Sequence, residues 1–274
     1  MKIVKVLGNN AVSSFDEQGH EVIVAGRGVG FHVSSGDEVN MELVTKVYSL
    51  NGEERYYFQE LVKNMPVENI QCANEIISYA EMSLGKKLND YIYITLTDHL
   101  NFALERHRNG LEFKNALLWE IKQFYHHEFM IGLEAIDMIQ EQLGVRLPED
   151  EAGFLALHIV NAELGTDMPQ SIAMTQTIQD ILNIIKYHFH IVLNENTLQY
   201  ERFLTHLKFF LQRAVKDQYY TTEDQEFCDL VLRKYADAHR CVLKIMEYMR
   251  VKMNHEVTKE EEMYLTVHIK RIIS

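Results

Sequence analysis

The chemistry this sequence could carry is concentrated in four histidines. His99 opens the run His99-Leu100-Asn101-Phe102-Ala103-Leu104-Glu105-Arg106, and His206 opens His206-Leu207-Lys208-Phe209-Phe210-Leu211-Gln212-Arg213. Both read H-L-x-F-x-L-x-R, and they lie 107 residues apart. His158 follows Glu151, Phe154 and Leu155, and His268 follows Glu261, Tyr264 and Leu265, giving E-x-x-aromatic-L-x-aliphatic-H-I twice, 110 residues apart. Two independent motifs that agree on one period mark a duplicated helical domain of roughly 100 residues. A neutral imidazole nitrogen is nucleophilic near pH 7 and accepts a phosphoryl group, and the dianion gained can make or break an interface by charge alone. A lone histidine beside leucines is usually a hydrogen-bonded core residue, but four at matched places in a duplicated pattern favour chemistry. Thr97 and Asp98 are helix-starting residue types, which puts His99 in a first turn, where an anion is welcome. Thr258 and Glu261 have capping-box spacing, and His268 follows Glu261 by seven residues, about two turns along a similar face.

Other chemistries find less support. His126-His127 and the pair His188 and His190 invite a metal reading, but adjacent histidines point to different helix faces and no acidic or cysteine partner completes a standard ligand set. No metal and no cofactor are expected. No nucleotide-binding loop, nucleophile elbow or metalloprotease motif is present, so no catalytic residue is assigned and the chain does not read as an enzyme. Gly26-Arg27-Gly28-Val29-Gly30 is glycine-rich, but with no helix behind it this segment is a poor phosphate cradle. Cys72, Cys228 and Cys241 are scattered, odd in number and unlike zinc spacing, as reduced core residues would be.

The elements that must position these residues fall into two classes. Up to about residue 50 the pattern is β-type: Ile3–Leu7, Ala11–Phe15, Glu21–Ala25 and Val29–Val33, separated by turn signals at Gly8-Asn9-Asn10, Asp16 to Gly19, Gly26 to Gly28 and Ser34 to Asp37. A further apolar run, Leu43–Leu50, precedes Asn51-Gly52. So small a β unit buries little, and dimerisation through the sheet is a natural remedy. From about Glu53 the pattern turns helical, with Leu61, Met65, Ile70, Ile76, Ile77 and Ala80 at spacings near three and four and Gly85 ending the run. Glu134–Leu143 and Glu149–Glu163 are further amphipathic stretches, and 165–170, with Pro169, reads as a linker. Three prolines in 274 residues suit long helices. The predicted architecture is multidomain: a small antiparallel all-β domain at 1–56, then two homologous all-α helical-bundle domains at 65–168 and 172–274. The net charge of −13 argues against a wide electrostatic footprint on nucleic acid, though not against a small local one. No stretch approaches the roughly 18 to 20 apolar residues of a membrane span and no signal-peptide pattern opens the chain, so a cytoplasmic location without membrane insertion is expected.

The residues quoted above, taken together, resemble the Bgl/Sac family of bacterial transcriptional antiterminators over essentially the full length. Met1-Lys2-Ile3-Val4-Lys5-Val6-Leu7, Asn9-Asn10, Glu17-Gln18-Gly19 and Gly26-Arg27-Gly28 through Phe31 are similar to the family's co-antiterminator RNA-binding domain. Leu96-Thr97-Asp98-His99 and 156–162 resemble the first phosphotransferase-regulated domain, and 205–209 with 264–269 the second. The resemblance implies a homodimer that holds a leader-RNA hairpin and so prevents a terminator from forming ahead of a sugar-utilisation operon. It implies phosphorylation of His99 and His158 by a sugar-specific transporter of the phosphotransferase system, which inhibits. It also implies phosphorylation of His206 and His268 by the general phosphocarrier protein, which activates.

On the RNA side the matching positions are Lys5, Asn9, Asn10, Gly26, Arg27 and Phe31. Phe31 can stack on a base, Arg27 can pair with phosphate or a guanine edge, and glycine admits close backbone approach. The sequence departs from the family at Gly8, where an asparagine is usual, and at His32, Val33 and Ser34, where glutamine and basic residues are usual. Residues 1–55 carry five basic and eight acidic side chains. Few cations can therefore displace counterions, and a shallow salt dependence is expected. These departures keep open an alternative, a phosphorylation-controlled protein–protein switch that has lost RNA binding. A DNA-binding relative is disfavoured, because the opening region is β-patterned and shows no helix-turn-helix.

Overall fold

The computed structural model describes residues 1–49, 52–63, 65–218 and 224–274. Four antiparallel strands, β1 (Ile3–Gly8), β2 (Ala11–Phe15), β3 (Glu21–Ala25) and β4 (Lys46–Tyr48), pair in chain order. Among the described residues eleven α-helices follow: α1 (Gly52–Lys63), α2 (Val67–Leu84), α3 (Ile92–Arg108), α4 (Leu118–Phe124), α5 (His126–Leu143), α6 (Glu149–Leu164), α7 (Met168–Phe189), α8 (Leu198–Val215), α9 (Gln225–Lys234), α10 (Ala236–Met253) and α11 (Lys259–Ile272). The chain divides into two compact units, Met1–Met168 and Pro169–Ser274. The predicted class, a small antiparallel β module followed by two homologous all-α bundles, is the architecture observed, with α2–α6 in the first repeat and α7–α11 in the second.

In the first unit the sheet closes over a cluster of Ile3, Val12, Val22, Val24, Val29 and Val39. Alternation along a strand sends neighbouring side chains to opposite faces, yet Ala11, Val12, Ser13 and Ser14 are all buried, so both faces of β2 are covered. Helix α1 packs against β1, and its Phe58 meets Tyr48 of β4 edge-on with ring centroids 4.6 Å apart. Tyr48 exchanges hydrogen bonds with Asn74 on α2 (2.8 and 2.6 Å), and Lys46 Nζ donates to Tyr93 Oη of α3 at 3.1 Å. The β module and the first helical repeat are thereby joined by polar contacts as well as apolar ones.

Three sequence expectations need correction. Val29–Val33 is not a strand: 26–32 folds into tight turns, and the fourth strand lies instead at Lys46–Tyr48, inside the apolar run 43–50. Glycine spacing explains this, since Gly28 has φ of +75° and backbone N–H groups of the segment bond to Asn9 and Asn10 rather than to a ladder. Leu50 and Asn51, part of the predicted run and turn, lie outside the described residues. Next, Thr97 and Asp98 do not start a helix. α3 begins at Ile92, after a turn in which the Asn89 side chain accepts from Tyr91 N at 2.9 Å, and His99 sits mid-helix. The apolar repeat simply continues upstream of Thr97, which is itself fully buried. Finally, the linker at 165–170 is shorter than expected: Gly165 ends α6 in the left-handed conformation and α7 already begins at Met168.

Candidate functional site

Each helical repeat places its two motifs on antiparallel neighbours, α3 beside α6 and α8 beside α11. Seven residues separate His99 from Arg106 and Glu151 from His158, about two helical turns in each case. Antiparallel packing therefore sets histidine against histidine at one level and arginine against glutamate at the other. The rings of His99 and His158 lie 4.8 Å apart, and those of His206 and His268 lie 4.2 Å apart. The structure thus brings the four sequence-predicted histidines together in two pairs, one per repeat.

Within each pair one histidine is partly exposed and the other is buried. His99 lines a cavity of about 530 Å³ with Tyr57, Tyr91, Asp98 and Phe102, above the buried His158. Burial, reinforced by the neighbouring His99, holds His158 well below the usual imidazole range, so its ring is neutral at pH 7. His206 lines a cavity of about 490 Å³ with Phe209, Arg213, Glu261 and Tyr264. Its basicity is lowered by burial and by the cations Arg202 and Arg271. His268 beneath it is pushed down to about 4 by burial, then by His206 and Arg271. Neutral rings are the nucleophilic form.

The residues that hold these histidines were visible in the sequence as repeated motif positions but carried no assigned role there. In the first repeat Glu151 Oε2 lies 3.0 Å from His99 Nε2, and Glu151 Oε1 accepts from Arg106 at 2.7 Å, with both members of that ion pair under a tenth exposed. The Arg106 guanidinium lies over two rings, 4.8 Å from Phe102 and 4.3 Å from Phe113. In the second repeat the matching ion pair is looser: Arg213 is 3.6 Å from Glu261 and 22% exposed. Glu261 instead bonds back to the Thr258 backbone N–H in the predicted capping box, and His206 Nδ1 meets the Tyr264 hydroxyl at 2.5 Å. The first repeat has Phe154 at the place of Tyr264, with no hydroxyl to offer.

The β module places the other predicted residues around one loop. Asn9 and Asn10 turn β1 into β2, and Gly26 N donates to Asn10 O (3.0 Å), Gly28 N to Asn10 Oδ1 (2.9 Å) and Gly30 N to Asn9 O (3.0 Å). The loop held in this way presents Arg27 to solvent and leaves Phe31 56% exposed, its ring 3.9 Å from that of His32. Lys5 is exposed on β1. Gly26 is buried rather than available to a ligand: a Cβ there would sit 1.8 Å from Leu43 O. The geometry thus separates the six positions. Asn9, Asn10 and Gly26 shape the loop, while Lys5, Arg27 and Phe31 are exposed to solvent. The departure at Gly8 also has a structural setting, since a Cβ there would meet the carbonyl oxygen of Lys63, at the end of α1, at 3.0 Å.

The CAT RNA binding domain model matches residues 1–56, and the PRD domain model matches twice, at 74–162 and 179–272. The chain is 49% identical to the transcription antiterminator LicT of Bacillus subtilis, over all of this chain and 99% of that protein. It is 46% identical to the beta-glucoside operon antiterminator of Dickeya chrysanthemi, over all of this chain and 97% of that one. This protein belongs to the BglG/LicT family of transcription antiterminators. Among solved structures, the crystal structure of GlcT CAT-PRDI aligns with a TM-score of 0.52 at 33% identity, covering 59% of this chain and 96% of that one. The antiterminator's two PRD domains are the two repeats that carry the histidine pairs, and its CAT domain is the sheet that carries the Arg27–Phe31 loop. Among the described residues no helix is long and apolar enough to cross a membrane, and all three cysteines are free and buried.

Proposed function

We propose that this protein acts as a homodimeric antiterminator that holds a leader-RNA hairpin and so keeps a terminator from forming ahead of a sugar-utilisation operon. In this reading 1–56 binds RNA, while 65–168 and 172–274 are the regulatory bundles. Lys5, Asn9, Asn10, Gly26, Arg27 and Phe31 form the RNA site, Asn9, Asn10 and Gly26 by shaping the loop. His99 and His158 take phosphoryl groups from the sugar-specific transporter, and His206 and His268 from the general phosphocarrier protein. The protein works in the cytoplasm, without catalysis of its own and without DNA.

The observation that carries this reading is the loop itself. Arginine pairs with phosphate and base edges through a planar fork, and an exposed aromatic ring stacks on an unpaired base. Arg27 and Phe31 stand exposed on a loop whose backbone is fixed by Asn9 and Asn10, so little ordering cost remains to be met on binding. Titration of the full chain with hairpins containing internal loops tests it. Saturable binding that is lost in Arg27→Ala, with the fold intact, is the expected result. Failure to bind any member of a pool of such hairpins would leave the chain as a phosphorylation-controlled protein–protein switch.

A further inference from the structure

We propose that the two repeats accept phosphoryl groups on opposite ring nitrogens, Nδ1 of His99 in the first and Nε2 of His206 in the second. The inference rests on the phosphohistidine reading above and names the atom at which it acts.

In the first repeat His99 Nε2 lies 3.0 Å from Glu151 Oε2. An ionised carboxylate only accepts hydrogen bonds, so this nitrogen carries the proton. Glu151 is fixed in turn by the buried Arg106. The lone pair able to attack phosphorus is therefore the one on Nδ1. In the second repeat the engaged atom is reversed. His206 Nδ1 is held by the Tyr264 hydroxyl at 2.5 Å, and Glu261 is turned back toward Thr258. The hydroxyl occupies Nδ1 whichever of the two holds the shared proton, so Nε2 is the ring nitrogen left to attack. Tyr264 touches both His206 and His268, with ring centroids at 5.1 and 4.5 Å. It acts as a positioning residue that engages one ring nitrogen of the acceptor and leaves the other open, as second partners of imidazoles do elsewhere.

The transfer conserves atoms and charge. The free lone pair forms the new N–P bond while the P–N bond of the phosphohistidine donor breaks, its electron pair returning to the donor ring. No proton leaves the acceptor. On His99 the Nε2 proton stays against Glu151, whose carboxylate offsets the positive charge the ring gains. On His206 the ring's one proton ends on Nδ1, against the Tyr264 oxygen.

The full chain is phosphorylated by the phosphocarrier protein and transporter domain of a sugar phosphotransferase system, then cleaved with trypsin at alkaline pH. Each of the four histidines falls in a different peptide, and phosphorus NMR with isomer-specific antibodies distinguishes the nitrogens. The expected result is Nδ1-phosphohistidine on the His99 peptide and Nε2-phosphohistidine on the His206 peptide. Each should exceed its isomer by about ten to one, the ratio that one hydrogen bond of ordinary net strength sustains. Tyr264→Phe, the residue type the first repeat already has at that place, should fold normally and bring the His206 ratio toward parity. The same isomer on both peptides, an unchanged ratio in Tyr264→Phe, or phosphate confined to the His158 and His268 peptides overturns this proposal and leaves the phosphohistidine reading standing. No phosphohistidine on any of the four peptides overturns both.

Discussion

Pro148 and Thr258 stand at matching points of the two repeats, three residues ahead of Glu151 and Glu261, and this difference decides where each carboxylate goes. Thr258 has a hydroxyl and a backbone N–H, so Glu261 closes a capping box with it. Pro148 has neither, and its helix start carries no side-chain cap. Glu151 is left to bond His99 and Arg106 across the helix interface. One duplicated motif therefore gives two differently tuned histidine pairs.

The energetic consequence is measurable. Glu151→Ala strands the Arg106 guanidinium in a buried position, and breaking a buried pair from one side costs about 3–5 kcal/mol. Glu261→Ala removes a helix cap and a looser ion pair, so about 1–2 kcal/mol is expected. Urea unfolding checks both. Trp119 is the single tryptophan and lies in the first unit, so its fluorescence follows that unit, while circular dichroism follows the whole chain. Equal losses for the two variants would contradict the asymmetry.

Mild acid should loosen the histidine pairs. Burial holds His158 well below the ordinary range and His268 down to about 4, so the folded chain binds fewer protons at these sites than the unfolded chain. Stability then rises with pH wherever the unfolded state holds the extra proton. The contribution is fully present above about pH 6.5, the unfolded value, and for His268 it is lost as pH falls from there through about 4. A drop on the order of 1 kcal/mol per buried histidine between pH 7 and 5 is expected. Urea midpoints at the two pH values should show it, and His268→Gln should lose part of the difference.

Three glycines of the 26–31 loop should respond unequally to alanine. At Gly26 and Gly30 a Cβ would lie 1.8 Å from Leu43 O and 2.0 Å from Gly8 O, so the loop must move. Losses of roughly 2–3 kcal/mol are expected, as for other overpacked sites. Gly28 has open space around it and only its φ of +75° to defend, so about 1 kcal/mol is expected. Thermal shifts of the three variants decide whether packing or backbone conformation governs the loop.

RNA affinity should depend weakly on salt and strongly on two side chains. Arg27→Ala and Phe31→Ala remove exposed groups that pack against little, so melting temperature should hardly change. Hairpin affinity should fall about tenfold or more in each, matching the roughly 1–3 kcal/mol of one stacking or bidentate contact. Asn10→Ala should lower both affinity and stability, because it frees Gly28 N. A steep fall of affinity with salt would imply many phosphate contacts and contradict the small basic count of residues 1–55.

The sequence by itself determined the class of each segment and the duplication. Short β-type runs bounded by turn signals made three of the four strands legible, the H-L-x-F-x-L-x-R and E-x-x-aromatic-L-x-aliphatic-H-I repeats located all four histidines, and Thr258 with Glu261 announced a cap that is present. These are local or periodic signals, set by neighbours a few residues away. Tertiary structure decided what no local signal could. The apolar stripe of α3 carried the helix two turns above His99, so a threonine and aspartate that look like a helix start ended inside it. Three spaced glycines, caught by Asn9 and Asn10 from another hairpin, turned a strand-like run into the loop that presents Phe31. And only the antiparallel packing of α3 on α6 and of α8 on α11 showed which side chain each histidine meets, because residues 52 and 58 positions away in the chain become neighbours only when the helices pack.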